Sequence, residues 1–343
     1  MLAFANAVMT TRPHDALFKA AFGTPEHAAG LFRAVLPAAV VNAIDWTTVT
    51  SEAGSFIDPD LIDHHSDLLF SVRLRGGAHV VLLYFLLEHQ SSVDRYMPLR
   101  MLGYMVRIWE RFLERHAGAR LPQIIPLVLS HAPGGWTEPR AFEDLLEPDP
   151  SAIPGLAELA PRFSLLIEDL AHLSDDDIRT RTLAVFPRLA LWLLRDVRDH
   201  ARFSASFPAW ADALGEAFLE AVRAPHGVQS FAQLMHYIWF VAGDLRFHDF
   251  RAKIRKYLPE AEETVMTIAE ELLSEGREKG RVEGRVEGRV EGRAETLRRL
   301  LMLKFGAIGP DDDARLVAAT PEALDRYLDR ILTAETSAAV FDE

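Results

Sequence analysis

Two apolar segments separated by a glycine pair dominate the hydrophobic pattern of the first half of the chain. Residues 66–75 (SDLLFSVRLR) and 78–88 (AHVVLLYFLLE) flank Gly76-Gly77. A glycine pair between such segments predicts a two-residue hairpin turn, because both glycines adopt positive φ angles without strain. The second segment is apolar on both faces, which is typical of a central strand covered by helices. The pattern therefore predicts a buried β-hairpin at the centre of the fold.

Helical and strand patterns alternate around this hairpin. The apolar spacing predicts helices over residues 13–36, with a break at Gly23-Thr24-Pro25, and over 97–116, and strands over 44–51 and 121–130. The order helix, strand, hairpin, helix, strand indicates an α/β fold with a mixed sheet. Residues 151–275 show a helical period, so we expect an all-helical half to follow the sheet.

Three polar residues meet at the open end of the predicted hairpin. A turn at Gly76-Gly77 pairs Asp67 with Leu86 and makes Glu88 its diagonal neighbour, about 7–8 Å away on the same face. Gln90 follows on that face because side chains alternate with a period of two. Two carboxylates and an amide oxygen suit a hard cation such as Mg²⁺. A polar end on a buried hairpin is the simpler interpretation, and a shift of one residue would move Asp67 to the other face.

The first predicted helix carries an acid and a cation on one face. Asp15 and Lys19 are four residues apart and therefore neighbours on a helix surface. One interpretation is an ion pair worth a few tenths of a kcal/mol, and another makes Asp15 a residue of the helix start. The third interpretation is that both side chains project towards the hairpin and belong to its polar end.

The helix over 97–116 carries a row of arginines. Arg100, Tyr104, Arg107 and Arg111 recur on one face, and guanidinium groups around an aromatic ring suit contact with phosphate. An ordinary solvated face is the alternative. The core stripe of this helix is expected to consist of Leu102, Met105, Trp109, Phe112 and Leu113.

Charge and composition limit the classes of function. The chain contains no cysteine and has a net charge of −13, which excludes thiolate metal sites and argues against general affinity for nucleic acid. Residues 11–140 have 12 Lys and Arg against 13 Asp and Glu, whereas residues 141–343 have 25 against 37. The first segment can therefore still present a basic face, and the second is not expected to be a nucleic-acid surface. The N-terminal residues lack a basic signal-peptide region, and no apolar run reaches the roughly 18–20 residues of a membrane span. We therefore expect a cytoplasmic protein.

The last part of the chain has a different pattern. Residues 276–295 repeat Gly-Arg-Val-Glu with a period of four, and each glycine disfavours a helix by about 1 kcal/mol. The repeat is thus a marginal charged helix or a linker, and its glycine row would allow two chains to approach closely, so a homo-oligomer through the C-terminal helical region is one expectation. We expect a core at 11–145, a helical region at 146–275, this repeat, and a small helical domain at 296–343.

Several motifs resemble one known family. HDALFK (14–19), SDLLF (66–70), LLEHQSS (86–92), MPLRMLGYMVRIW (97–109) and IIPLVLSH (124–131) occur in this order and resemble the Rpn family of recombination-promoting nucleases, also called YhgA-like proteins. The resemblance covers about residues 11–275, and the C-terminal stretch resembles a small helical domain of unknown function. It implies a PD-(D/E)XK core, a restriction-endonuclease-like mixed sheet flanked by helices.

The resemblance also assigns site residues. It implies that Asp67 is the active-site acid and that Glu88 and Gln90 are the second acid and the polar residue that follows it. Gln90 departs from the wider superfamily, in which lysine is usual. A glutamine cannot act as a base, but it can orient the attacking water or bind a metal ion through its amide oxygen. Lys19, or an arginine of the 100–111 face, would then supply the positive charge.

Two functions follow from these assignments, and both are kept as expectations. The first is a divalent-metal-dependent DNA endonuclease that uses Mg²⁺ and has no membrane partner. The second is a catalytically inactive nuclease-fold protein that acts as a binding or assembly module. A cut-and-paste transposase has no separate DNA-binding motif to support it. The first function assigns metal binding to Asp67 and Glu88, and catalysis to these two residues together with Gln90 and Lys19. It assigns DNA contact to Arg100, Tyr104 and Arg107. Asp15 is a possible additional acid.

Overall fold

The computed structural model describes residues 13–52, 66–76, 80–88, 93–223, 227–242, 247–306 and 308–341. The chain divides into two compact units, Met1–Ala269 and Glu270–Glu343. The first unit contains the sheet and, as far as Ala269, the helical region predicted at 146–275. No helix in the described part of the chain is both long enough and apolar enough to span a membrane.

Five strands of the described residues form one mixed sheet in the first unit. They are β1 (Ile44–Ser51), β2 (Ser66–Leu74), β3 (Val80–Glu88), β4 (Gln123–Ser130) and β5 (Leu166–Asp169), and their order in the sheet is the order in the chain. β1, β2 and β3 are antiparallel neighbours, whereas β3, β4 and β5 run parallel. The predicted α/β class, the mixed sheet and the central position of the second hairpin strand are confirmed.

The hairpin has the predicted register. Asp67 pairs with Leu86, and Arg73 pairs with Val80 at the end near the turn. Gly76 has φ 71°, in the left-handed region that glycine adopts without a steric penalty. The glycine turn and the alternation of side chains along the strands were therefore sufficient to predict how β2 pairs with β3.

Among the residues that the structure describes, three helices precede β1 and a further helix covers the sheet. They are α1 (Pro13–Phe22), α2 (Pro25–Val35), α3 (Ala38–Ala43) and, after β3, α4 (Met97–Arg115). The predicted break at Gly23-Thr24-Pro25 separates α1 from α2, since a proline at N1 favours a helix start. A Cβ atom at Gly23 would collide with the carbonyl oxygen of Lys19, so the end of α1 requires this glycine.

Helix α4 packs on one face of the sheet. Leu69 of β2, Leu82 of β3 and Val128 of β4 form a buried cluster with Met101 and Tyr104 of α4. The three strand residues occupy neighbouring strands, and strand residues two apart point to the same face. Leu69, Leu82 and Val128 therefore line the face of the sheet beneath α4.

The helical part of the first unit follows β4. It contains α5 (Asp175–Arg179), α6 (Val185–Asp196), α7 (His200–Arg223), α8 (Gly227–Val241) and α9 (Phe247–Tyr257), and short 3₁₀ segments at Phe142–Leu145, Pro150–Ala152, Leu156–Glu158, Leu170–His172 and Pro259–Ala261. The expectation that residues 151–275 are entirely helical is wrong at Leu166–Asp169. Those residues form the short parallel edge strand β5, which is too brief for its period to be recognised.

A buried carboxylate joins α6 to α7. Asp196 is fully buried and accepts hydrogen bonds from Arg195 Nε at 2.6 Å and Ser206 Oγ at 2.7 Å, and it forms an ion pair with Arg202 Nε at 2.8 Å. Ser206 Oγ in turn accepts a hydrogen bond from the indole N–H of Trp192 at 2.9 Å. Because a buried charge is tolerated only when it is paired and hydrogen-bonded, Arg195 and Ser206 belong with Asp196 to the core of the helical part.

The second unit has a core of its own. Its helices are the end of α10 (Glu262–Phe305), α11 (Pro310–Ala318), α12 (Pro321–Ile331) and α13 (Ser337–Phe341). Their buried residues are Leu297, Leu301, Leu316, Leu324, Ile331, Val340 and Phe341. The Gly-Arg-Val-Glu repeat lies within the 44 residues of α10 and within this unit.

Candidate functional site

The predicted acids lie at the edge of the sheet where β3, β4 and β5 end, not along an edge strand. Asp67 is the second residue of β2, and Glu88 is the last residue of β3. Asp67 pairs with Leu86, two residues before Glu88, because β2 and β3 are antiparallel. The backbone positions of the two acids are therefore diagonal neighbours, as the hairpin register predicted. Their side chains and the whole of Gln90 lie outside the described residues, so the metal site remains a prediction.

The same edge contains the ends of β4 and β5. Glu88 is the register partner of Ser130, the last residue of β4, and Ser130 is the partner of Asp169, the last residue of β5. Ser130 and the following His131 are buried, with 0% and 4% exposure. The ends of parallel strands are a common place for ligand sites in open α/β sheets. This edge is thus the place in the first unit where polar residues of neighbouring strands converge.

Asp169 fixes the loop that follows β4. Its carboxylate accepts hydrogen bonds from the backbone N–H of Trp136 at 2.7 Å and from His172 Nδ1 at 2.8 Å. Gly135 has φ 75°, and a Cβ atom there would collide with the ring of His172. The loop from His131 to Trp136 therefore has one tightly packed conformation beside the sheet edge.

The arginine row of α4 differs from the prediction at Tyr104. Tyr104 is only 7% exposed and packs in the cluster beneath α4, so its ring does not belong to an exposed face. Arg107 is exposed, whereas the guanidinium of Arg100 forms an ion pair with Asp94 at 2.8 Å. DNA contact by these residues remains a prediction.

The predicted core stripe of α4 is displaced as well. The buried positions are Met97, Pro98, Met101, Tyr104, Met105 and Ile108. Met105 of the predicted stripe is therefore confirmed, whereas Leu113 is 38% exposed. Leu102, Trp109 and Phe112 are only partly buried at the margin of the cluster. Apolar residues occur on more than one side of this helix, so the sequence pattern did not single out the side that faces the sheet.

Helix α1 places its two predicted residues in different environments. Asp15 is buried, at 9% exposure, whereas Lys19 is exposed. The helix contacts β2 of the hairpin and also α6 and α8 of the helical part. The first turn of α1 therefore lies between the sheet and the helical half.

His14, which precedes Asp15, makes contacts that the sequence did not predict. Its Nδ1 lies 2.7 Å from the hydroxyl of Tyr237 in α8, and its Nε2 lies 2.7 Å from a guanidinium nitrogen of Arg198, which follows α6. Its ring also lies against that of His131, with 4.9 Å between ring centroids. His14 and His131 belong to the motifs HDALFK and IIPLVLSH, and this membership was the only sign in the sequence that the two histidines matter. The sequence did not show that Tyr237 and Arg198 are partners of His14.

Burial determines the ionisation state of the Tyr237 hydroxyl. Burial raises the pKa of the Tyr237 hydroxyl far above its usual value, and the nearby Arg198 charge only partly opposes this shift. Tyr237 is therefore a neutral phenol at every physiological pH. Among the side chains that the structure describes, no group of three or more His, Asp or Glu is arranged to bind a metal ion.

Comparison with known proteins adds the family. Residues 12–220 match the family model "Putative transposase, YhgA-like". The chain is 31% identical over 273 residues to "Recombination-promoting nuclease RpnA" of Escherichia coli K12, covering 78% of this chain and 86% of that protein. It is 29% identical over 267 residues to "Recombination-promoting nuclease RpnD" of Escherichia coli O157:H7, covering 77% and 95%.

A third relative has a different name. The chain is 29% identical over 269 residues to "Inactive recombination-promoting nuclease-like protein RpnE" of Escherichia coli K12, covering 78% of this chain and 84% of that protein. No solved structure matches the chain. The family model covers more than half of the chain, and the relatives are aligned over most of their length. This protein therefore belongs to the YhgA-like family, which includes the Rpn recombination-promoting nucleases.

Proposed function

We propose that this protein is a divalent-metal-dependent DNA endonuclease whose active site lies at the edge of the sheet formed by the start of β2 and the ends of β3, β4 and β5. The observation that carries the proposal is the register of the central hairpin, which makes the backbone positions of Asp67 and Glu88 diagonal neighbours on adjacent strands. The names of the nuclease relatives support the reaction class.

Strand alternation supports a shared face for the two acids. Asp67 precedes Leu69 by two residues in β2, and Glu88 has the same parity as Leu82 in β3. Leu69 and Leu82 both belong to the cluster beneath α4. Since residues two apart in a strand share a face, we expect both carboxylates on the α4 side of the sheet.

The donor set fits a magnesium ion. Mg²⁺ binds through one or two protein carboxylates and retains several waters, so Asp67 and Glu88 would hold it. When bound, the ion lowers the pKa of a coordinated water and neutralises charge on the scissile phosphate. Gln90 would orient the attacking water through its amide group, and it cannot accept the water's proton as a base.

The remaining predicted residues would act on the DNA backbone. Arg107 and Lys19 are exposed and able to contact phosphate oxygens, which bind guanidinium and ammonium groups in a sequence-independent way. Arg100 would have to exchange its ion pair with Asp94 for a phosphate. Asp15 is buried near the start of α1 and would act from within the protein as an additional acid.

An inactive nuclease fold is the second candidate. One full-length relative and one shorter relative are named inactive nuclease-like proteins. The neutral Gln90, in place of the superfamily's usual lysine, favours this candidate. In that case the protein would be a binding or assembly module, and the acids at the sheet edge would have no catalytic role.

One experiment separates the two candidates. Purified full-length protein is incubated with supercoiled plasmid and linear duplex DNA in Mg²⁺, in Mn²⁺ or in EDTA, and nicked and linear products are separated on gels. We expect cleavage with either metal ion and none in EDTA. Intact DNA under all conditions, together with DNA binding in a gel-shift assay, would support the inactive binding module.

A further inference from the structure

His14 connects the first turn of α1 to two distant parts of the helical half. Its ring nitrogens each lie 2.7 Å from a polar partner, Tyr237 in one case and Arg198 in the other. These partners follow His14 by 223 and 184 residues in the chain. The Tyr237 ring also packs edge-on against the imidazole, with 5.4 Å between centroids. The imidazole is thus held from several sides.

The chemistry of the partners determines the protonation of His14. A guanidinium group only donates hydrogen bonds, so Nε2 of His14 accepts the bond from Arg198. The imidazole is therefore neutral, and its proton resides on Nδ1, which donates to the hydroxyl oxygen of Tyr237. Because Tyr237 retains its own proton when buried, the three groups are compatible with a single hydrogen-bond pattern.

This group lies beside the candidate active site. His14 packs against the ring of His131, and His131 directly follows Ser130, the register partner of Glu88. Asp15 is the next residue after His14, about 100° further around the helix axis. Any rotation of α1 that freed His14 would therefore also move the buried carboxylate of Asp15.

We propose that His14 is a positioning residue, and that Arg198 and Tyr237 lock α1 in the orientation that presents Asp15 to the edge of the sheet. This inference rests on the proposed nuclease function for its catalytic consequence. The helical half is then a required part of the catalytic unit, because it supplies both partners of the lock.

Two single-site variants test the lock, each removing one hydrogen bond. Tyr237→Phe keeps the ring and deletes the acceptor oxygen. Arg198→Met removes the guanidinium donor but keeps a long, unbranched side chain. Tyr327→Phe in the second unit is the matched control. Hydrogen exchange of the α1 amides should be about tenfold faster in both variants. In Mg²⁺, kcat should fall roughly 10²-fold, the scale of a displaced catalytic group, while the Kd for DNA in EDTA should stay within about twofold.

The outcomes distinguish this inference from the proposed function. Wild-type exchange rates at α1 in either correctly folded variant, as judged by circular dichroism, would overturn the lock. A drop in kcat with unchanged α1 exchange would overturn the positioning role as well. If the wild-type protein does not cleave DNA, the nuclease proposal fails, but faster α1 exchange in both variants would still establish the lock itself.

Discussion

Glu88 and Ser130 are the last residues of their strands, and the parallel register makes them direct partners. β3 and β4 therefore end at the same level of the sheet, and the chain leaves both strands at one edge. Ser130 is completely buried, so the point where β4 ends is packed within the core. A candidate site at this edge has a rigid support.

Replacement of Asp67 should abolish cleavage without unfolding the protein. In Asp67→Ala a predicted metal ligand is lost, whereas the backbone pairing of Asp67 with Leu86 in the sheet does not depend on the side chain. We expect at least a roughly 10³-fold loss of kcat, more than one transition-state hydrogen bond supplies, and an unchanged circular dichroism spectrum. Asp329→Ala, an exposed acid of α12, is the control. Wild-type nicking by folded Asp67→Ala would falsify the mechanism.

Substitutions at Gln90 should rank in a defined order. Gln90→Lys restores the superfamily's usual residue and should keep or raise activity, whereas Gln90→Ala should lose about 10²–10³-fold, the scale of one well-placed polar group in a catalytic site. Gln90→Glu should bind metal more tightly but cleave more slowly, because added negative charge opposes an attacking hydroxide. Plasmid nicking rates and isothermal titration with Mg²⁺ measure the two effects. An active Gln90→Ala variant would direct the search for a catalytic helper to Lys19.

Tyr104 and Arg107 should respond in opposite ways. Tyr104 is buried between α4 and the sheet, so Tyr104→Ala should lower the free energy of unfolding by about 3–5 kcal/mol, as large-to-small core substitutions do. Arg107→Ala should leave stability within about 0.5 kcal/mol but weaken DNA binding and reduce the slope of log K against log salt by about one. Urea denaturation and fluorescence anisotropy at several salt concentrations check these values. An unchanged salt slope would remove Arg107 from the DNA surface.

The buried network around Asp196 should dominate the stability of the helical half. Asp196→Ala leaves the buried Arg195 with Asp175 as its remaining ion-pair partner, and breaking a buried ion pair costs about 3–5 kcal/mol. Ser206→Ala removes one neutral donor to the same carboxylate, so it should cost less, about 1–3 kcal/mol. Denaturant unfolding of both variants gives the comparison. A larger effect at Ser206 than at Asp196 would contradict this explanation of the network.

The Glu262 carboxyl group should titrate at unusually low pH. Hydrogen bonds from Arg255 and then Arg251 lower its pKa from 4.5 to about 2. A depressed pKa stabilises the fold above the unfolded pKa, and this contribution is lost as the pH falls through about 2. A ¹³C NMR titration of the side-chain carboxyl should give this midpoint, and Arg255→Met should shift it towards 4.5. A wild-type midpoint near 4.5 would show that the pair does not form in solution.

Local patterns predicted the parts of the fold that depend on near neighbours in the chain. The pairing of Asp67 with Leu86 follows from a glycine turn and the alternation of side chains, both of which are local. The short β5 strand was missed because a parallel strand is defined by its partner, here β4. The burial of Tyr104 was missed because α4 offers apolar residues on several sides, and only the sheet beneath it selects one of them.

The candidate site could be predicted only in part for the same reason. Asp67 and Glu88 belong to one hairpin, so their backbone relationship was accessible from the sequence. His14 has partners 184 and 223 residues further along the chain. The spacing of apolar and polar residues in a sequence does not indicate contacts between residues so far apart. The family resemblance pointed to Asp15 and Lys19 of the same helix but gave no role to His14.

The order of the strands has a consequence for synthesis on the ribosome. Because each strand pairs with the strand made just before it, the sheet can assemble progressively as the nascent chain emerges. Helix α1 is made before the sheet, yet it obtains its contacts with Arg198 and Tyr237 only when most of the first unit has been synthesised. A nascent or truncated chain that ends before residue 198 would therefore contain the hairpin acids but not the lock on α1. Synthesis itself would delay the complete site until the helical half is present.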